Sequence, residues 1–355
     1  MPERLWQRAL RAEGSIAMAA AAANGQPIFE ALFERGELDA PALQDLAGRM
    51  AVLHAQAPIA PADAIARFRK SLADTAAPEQ VGELMLHAAR LDVRAGMGRY
   101  RQFGDGSVDI LYDLALPLME LWRAGMTTEA NMLANRYVDI APQGASGWAL
   151  LPLFVSLRAA GAGDAAFAEA ALRPAPPLLL AIGGLSGTGK STLSRLIGAR
   201  AGRPPGMRIL RSDIFRKRLA GVAPETRLPP QHYTPRNDAA TYEALFESAD
   251  DHLACGSSVI LEAVFMSRSE RDVAEMIAQR RGIPFAGIWL EAPERDRIAR
   301  VTARVNDASD AKAEVVREQS RRTAGDVGYW HRMRTNRPIE LIVSAARAIL
   351  ERARP

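Results

Sequence analysis

The run Gly183-Gly184-Leu185-Ser186-Gly187-Thr188-Gly189-Lys190-Ser191-Thr192 constrains this chain more than any other stretch. From Gly184 to Ser191 it has the spacing G-x-x-x-x-G-K-[ST]. In that spacing, backbone N–H groups of a glycine-rich turn surround a phosphate and the lysine reaches its outer oxygens. Glycines at 184, 187 and 189 permit positive φ and close approach of the backbone to an anion. The apolar run Leu178 to Ile182 precedes the turn as a buried strand would, and Leu193 to Ile197 follows at helical spacing. Strand, turn and helix in this order aim a helix N-terminus and its dipole at the anion.

The pattern is that of a P-loop. Gly184, Leu185, Ser186, Gly187, Thr188, Gly189, Lys190, Ser191 and Thr192 are therefore expected to bind the phosphates of ATP, with Lys190 on the outer phosphates and Ser191 ligating Mg²⁺. Of 45 basic residues only Lys70, Lys190, Lys217 and Lys312 are lysine. In so Arg-rich a chain, lysine stands where a compact ammonium on a flexible stem suits a phosphate cradle.

With 355 residues and 48% hydrophobic content, the chain is long enough for two domains with separate cores. A net charge of +4 is too small for a massed basic face and points away from nucleic acid as partner. The single cysteine, Cys255, has no cysteine to pair with inside the chain, as suits a reducing compartment. Residues Met1 to Trp6 lack the basic and apolar regions of an export signal, and the Ala-rich patch Ala17 to Ala23 is too short to span a bilayer. A cytoplasmic protein that does not enter the membrane is expected.

Residues 1–172 read as a mostly helical domain. Ala40 to His54 places Leu43, Leu46, Met50 and Leu53 on one face, with Pro41 in the first turn. A second helix is expected over Pro78 to Leu91, a densely apolar one over Asp109 to Trp122, and another over Glu129 to Tyr137. Leu46 to Pro58, Val108 to Ala115 and Ala134 to Tyr137 resemble the helical lobe of aminoglycoside-phosphotransferase-like proteins. Kinases of that fold use a catalytic H-G-D-x-H-x-x-N segment. This chain has no histidine between His87 and His232 and nothing matching that segment. The resemblance is to a truncated lobe with a structural or regulatory role, which removes an antibiotic-modifying reading. Asp105, in Gly104-Asp105-Gly106, reads as a turn residue before a functional one, and Asp109 and Asp113 as helix N-terminal or solvated positions.

Breaker clusters at Gly161 to Gly163 and Arg173 to Pro177 mark a linker over 173–177. Residues 178–355 then read as an α/β P-loop domain with a parallel sheet of about five strands. Met207 to Leu210, Ser257 to Ala263 and Pro284 to Leu290 read as further strands. Thr241 to Ala254 and Pro338 to Ala353 read as helices, and a weak strand falls near Trp330 to Met333. Because ligands lie beyond the carboxyl ends of strands in such sheets, Asp213 is expected beside the phosphates, with helix N-capping as its structural alternative. Arg211, Arg216 and Arg218 are candidates for an acceptor anion. Glu262 closes the strand that should position Mg²⁺.

The stretch Leu210 to Leu219, together with the arginines from Arg295 to Arg304 and the following Asn306 to Ala311, resembles AAA-family and small P-loop kinase-like proteins such as gluconate kinase, chloramphenicol phosphotransferase and the zeta toxins, a resemblance that covers Gly183 to Gln319 most strongly. The resemblance implies that Asp213 is a general base toward an acceptor hydroxyl or helps place Mg²⁺. It also implies that Glu262 stands where relatives carry Asp, and that arginines among Arg295, Arg297, Arg300 and Arg304 close as a lid on the transferred phosphoryl. Arg300 and Arg304, one turn apart, are preferred to the other two. The expected activity is transfer of the γ-phosphoryl of ATP to a hydroxyl of an unidentified acceptor. The competing reading is an ATPase or nucleotide-dependent switch without a small-molecule acceptor.

Overall fold

Asp39 starts the helical half by accepting a hydrogen bond from the N–H of Ala42. The computed structural model describes residues 36, 38–104, 106–303, 308–322 and 325–353. They fall into two compact units, one of residues up to 175 together with Arg203–Pro205, the other of Pro176–Gly202 and Gly206–Pro355.

In the first unit, helix α1 (Ala40–Gln56) buries Leu43, Leu46, Ala47, Met50, Ala51 and His54. Leu53, expected on that face, is only half-buried, and His54 takes the inward place. The imidazole is held at both nitrogens, with Nδ1 2.6 Å from the Tyr137 hydroxyl and Nε2 3.1 Å from Asp113 Oδ2.

Helices α2 (Ala62–Thr75), α3 (Pro78–Leu86) and α4 (Ala88–Gly96) follow. The single helix expected over Pro78 to Leu91 is thus two, broken at His87. There φ −100° and ψ 7° leave the helical range, and the ring is engaged by Glu83 at 3.2 Å and Arg90 at 3.0 Å.

Strands β1 (Tyr100–Phe103) and β2 (Gly106–Asp109) form an antiparallel hairpin that the helical reading of this half did not anticipate. Each strand has four residues, too few to show an alternating period. The unit is completed by α5 (Ile110–Arg123), α6 (Thr127–Ile140), α7 (Gly144–Trp148), α8 (Leu151–Gly161) and α9 (Ala165–Leu172).

Asp109 and Asp113 are buried, not solvated. Asp109 caps α5 through the Leu111 N–H and takes a bidentate pair from Arg94 at 2.6 and 2.5 Å. That arrangement offsets the cost of placing either charge in a core.

The second unit is a five-stranded, wholly parallel sheet whose strands lie in the spatial order β4 (Arg208–Arg211), β5 (Val259–Glu262), β3 (Leu179–Gly184), β6 (Phe285–Glu291) and β7 (His331–Arg334). In chain order its elements are β3 (Leu179–Gly184), α10 (Lys190–Ile197), β4 (Arg208–Arg211), α11 (Ser212–Leu219), α12 (Pro235–Ala254), β5 (Val259–Glu262), α13 (Arg268–Arg280), β6 (Phe285–Glu291), α14 (Glu294–Thr302), α15 (Ala313–Ser320), β7 (His331–Arg334) and α16 (Ile339–Ala353).

Alternate strand residues face opposite layers. Leu180, Ile182, Ile209, Ile260 and Ile288 pack against Leu193 and Ile197 of α10 and Ile342, Ala346 and Ile349 of α16. Leu179, Ala181, Leu210 and Leu261 pack against Leu245 and Leu253 of α12 and Ala274 and Ile277 of α13. Both faces of a parallel sheet are covered in this way, which is why its strands read as continuous apolar runs. Among the described residues no helix is long and apolar enough to cross a membrane.

Candidate functional site: the loop after β3

The parallel register brings β3 between β5 and β6, and the chain leaves β3 at Gly184 to form the glycine-rich loop. Gly184, Gly187 and Gly189 have φ of 140°, 83° and 95°, the conformations that the spacing required. Two of them also lack room for a side chain. A Cβ at Gly184 would lie 2.6 Å from Leu290 O, and one at Gly187 would lie 2.6 Å from Arg297 O. Gly189 is the N-cap of α10, whose first residue is Lys190. The lysine folds back over the loop, and its Nζ donates to Gly184 O at 2.8 Å and Leu185 O at 3.2 Å.

Ser191, one residue on, donates its hydroxyl hydrogen to Glu262 Oε1 at 2.5 Å. Glu262 ends β5, paired to Ile182 on one side and Arg211 on the other. Arg211 completes the group, with Nη2 3.0 Å from Ser191 Oγ and Nε 3.3 Å from Glu262 Oε1. The residue Glu262 is 4% exposed, and its second oxygen, Oε2, is buried without a hydrogen-bond partner. A carboxylate oxygen so placed is costly unless something fills its coordination.

Asp213 lies in the first turn of α11, half-buried, directly after the strand that ends at Arg211. It is not the N-cap; Arg211 holds that place, and no side chain caps the helix. Asp213 is close enough to Tyr233 for its charge to help raise the phenol pKa, after burial and the Asp310 hydrogen bond. Asp310 itself takes hydrogen bonds from Lys217 Nζ, the Leu228 N–H and the Tyr233 hydroxyl. Burial works against its charge, but these donors outweigh it and hold the carboxyl below its ordinary range.

The cations read as acceptor-binding candidates are partly committed elsewhere. Arg211 joins Ser191 and Glu262, while Arg216 pairs with Asp238 at 2.7 Å and donates to His232 O. Lys217, in the same cationic run, is buried against Asp310 and Thr226 O.

On the opposite side of the loop, Arg300 of α14 donates to Gly187 O at 3.3 Å and to Thr335 Oγ1 and O at 2.9 and 2.6 Å. The Thr335 hydroxyl in turn donates to Thr188 O. Arg304 and Asp105 lie outside the described residues.

Three contacts of the loop escaped the sequence reading. Arg297, set aside in favour of Arg300, is buried; its backbone abuts Gly187, Nη2 donates to Ser320 Oγ, and Nε and Nη1 have no partner. Gln319 accepts from the Ser186 N–H at 2.8 Å. Thr335, after β7, ties Thr188 to Arg300. No motif spacing announces these, because they reach the loop from α14, α15 and the end of the last strand.

Phe265, just past β5, has φ of 51°, a conformation uncommon for a bulky residue. Its N–H donates to the Tyr242 hydroxyl, its carbonyl accepts from Arg271, and its ring meets Trp330 edge-on. The preceding Val264 carbonyl accepts from the Gly184 N–H, so this strained corner is attached to the start of the loop.

A search of curated proteins finds no match. Among solved structures, a sugar kinase from Janibacter is 20% identical, covering 50% of this chain and 95% of that one, with a TM-score of 0.39. A gluconokinase from Sinorhizobium meliloti is 21% identical over 51% of this chain and 94% of its own, TM-score 0.36. The Mycobacterium tuberculosis APS kinase, solved with AMPPNP and APS, is 21% identical over 50% and 99%, TM-score 0.35. Residues 179–325 match the model of the AAA domain family.

Proposed function

We propose that the second unit is an ATP-dependent phosphotransferase acting on a hydroxyl group. The observation that carries this reading is the pairing of Ser191 with Glu262 at the foot of the glycine loop, with Glu262 Oε2 buried and unpartnered. A hydroxyl and one carboxylate are hard oxygen donors of the kind that suit Mg²⁺. Ser191 and Glu262 would hold the ion, which when bound offsets the charge of the phosphate oxygens. Lys190 would leave the carbonyls of Gly184 and Leu185 for the outer phosphates, an exchange of neutral acceptors for charged ones.

Asp213 is the base in this reading. The acceptor oxygen attacks the γ-phosphorus, its bond to the β–γ bridging oxygen breaks, ADP leaves, and the acceptor's proton passes to the Asp213 carboxylate. Arg300 lies beside Gly187, where it can meet charge on the nucleotide. The reading is supported by the position of Asp213 after the strand next to β5, in the first turn of α11.

The test compares wild type with Asp213→Asn for ATP affinity by calorimetry and for ADP release stimulated by fractionated hydroxyl-bearing metabolites. Unchanged affinity with stimulated release reduced by about 10²-fold is expected for loss of a general base. Equal stimulated release in the two proteins would remove Asp213 from the mechanism. Absence of stimulation by any fraction would favour a nucleotide-dependent switch.

A further inference from the structure

Gln319 is the last residue but one of α15, and its side chain reaches back to the phosphate loop, where Oε1 accepts from the Ser186 N–H at 2.8 Å. A backbone N–H donates only, so this contact settles which end of the carboxamide faces the loop. The NH₂ group therefore points away from Ser186, and Nε2 has no hydrogen-bond partner among the described residues. Two amide donors are thus left beside a loop whose N–H groups and lysine are arranged for phosphate oxygens.

The mounting is firm. Ser320, the next residue, accepts from the buried Arg297 guanidinium, and Arg297 is pressed against Gly187 by its own backbone. Helix α14, helix α15 and the loop are fastened at consecutive residues, so the carboxamide has little freedom to turn elsewhere.

We propose that Gln319 is a catalytic residue that donates from Nε2 to an oxygen of the γ-phosphoryl group while its Oε1 stays on Ser186. The proposal rests on the phosphotransferase reading of the same loop and adds a neutral donor on the α15 side, opposite in character to the cations Lys190 and Arg300. A neutral donor can follow the γ-phosphoryl through transfer without the desolvation cost of another buried charge.

Gln319→Glu isolates this role. Glutamate still offers an oxygen to the Ser186 N–H but replaces both donors with an acceptor. Binding of Mg²⁺·AMPPNP and of Mg²⁺·ADP is measured by calorimetry for wild type, Gln319→Glu and Gln319→Met, each first shown to be folded by its thermal melt. We expect AMPPNP affinity to fall tenfold or more in Gln319→Glu and severalfold in Gln319→Met, with ADP affinity changed less than about threefold. Equal losses for the two nucleotides would mean that Gln319 only braces the loop, and no loss for either would leave it without a role; both results overturn the proposal. Wild-type protein that binds neither nucleotide would instead overturn the phosphotransferase reading itself.

Discussion

The hydroxyl of Ser191 and the carboxylate of Glu262 meet at 2.5 Å across the gap between the start of α10 and the end of β5. The longer glutamate, where relatives are expected to carry aspartate, reaches the serine directly and leaves Oε2 inward. Glu262→Gln keeps an oxygen for Ser191 and removes the charge. We expect the Mg²⁺ concentration needed for half-maximal nucleotide binding to rise by about 10-fold to 100-fold, the range for losing a group that orients a metal or its ligands. Binding measured in EDTA should change little. Superimposable Mg²⁺ titrations for the two proteins would show that Glu262 has no part in metal binding.

The loop glycines differ in what an alanine would meet. At Gly187 the methyl group would fall 2.6 Å from the Arg297 carbonyl, and φ of 83° is itself unfavourable for alanine. At Gly189 φ is 95°, but the nearest atom, a terminal nitrogen of Arg300, is 3.8 Å away. Gly189→Ala carries only the backbone term, about 1 to 2 kcal/mol for a left-handed residue. Gly187→Ala must in addition displace α14. Nucleotide affinity should therefore fall further in Gly187→Ala than in Gly189→Ala, and hydrogen exchange across α14 should rise only in the former. The reverse ranking would mean that the loop reshapes more freely than its contacts imply.

The loop, the order of the elements around it and the parallel sheet were legible because each rests on local pattern: glycine spacing, apolar runs and helical periods. The places of Asp213, just after β4, and Glu262, at the end of β5, were legible from the apolar runs that precede them. What could not be read were contacts fixed by packing between distant segments. Arg297, Gln319 and Thr335 come within reach of the loop from positions more than a hundred residues away in the chain, and helical spacing, which singled out Arg300, could not tell the buried Arg297 from the exposed Arg295. In the first unit, the helix N-terminal places of Asp109 and Asp113 were legible, but their burial was not, because their partners Arg94, His54 and Arg158 are identified only once the helices are packed. The hairpin β1-β2 was missed for its brevity, and the break at His87 because its neighbours are good helix formers.

His252 gives the second unit a pH dependence whose sign can be worked out. It lies in the last turn of α12, buried, with Nδ1–H donating to Ser248 O at 2.7 Å. Burial, followed by the nearby charge of Arg208, pushes its pKa down from 6.5 to about 4. Between these values the unfolded chain binds a proton that the folded one refuses, so stability is full above pH 6.5 and is lost as pH falls toward 4. The whole shift corresponds to about 3 kcal/mol. His87, whose pKa is also lowered by burial, titrates in the first unit, so the comparison must isolate His252. Hydrogen exchange of β4 and β5 should show protection falling between pH 6.5 and 4 in the wild type, with a shallower fall in His252→Asn, which has no proton to gain. Identical pH slopes in the two proteins would show that His252 is not buried neutral in solution.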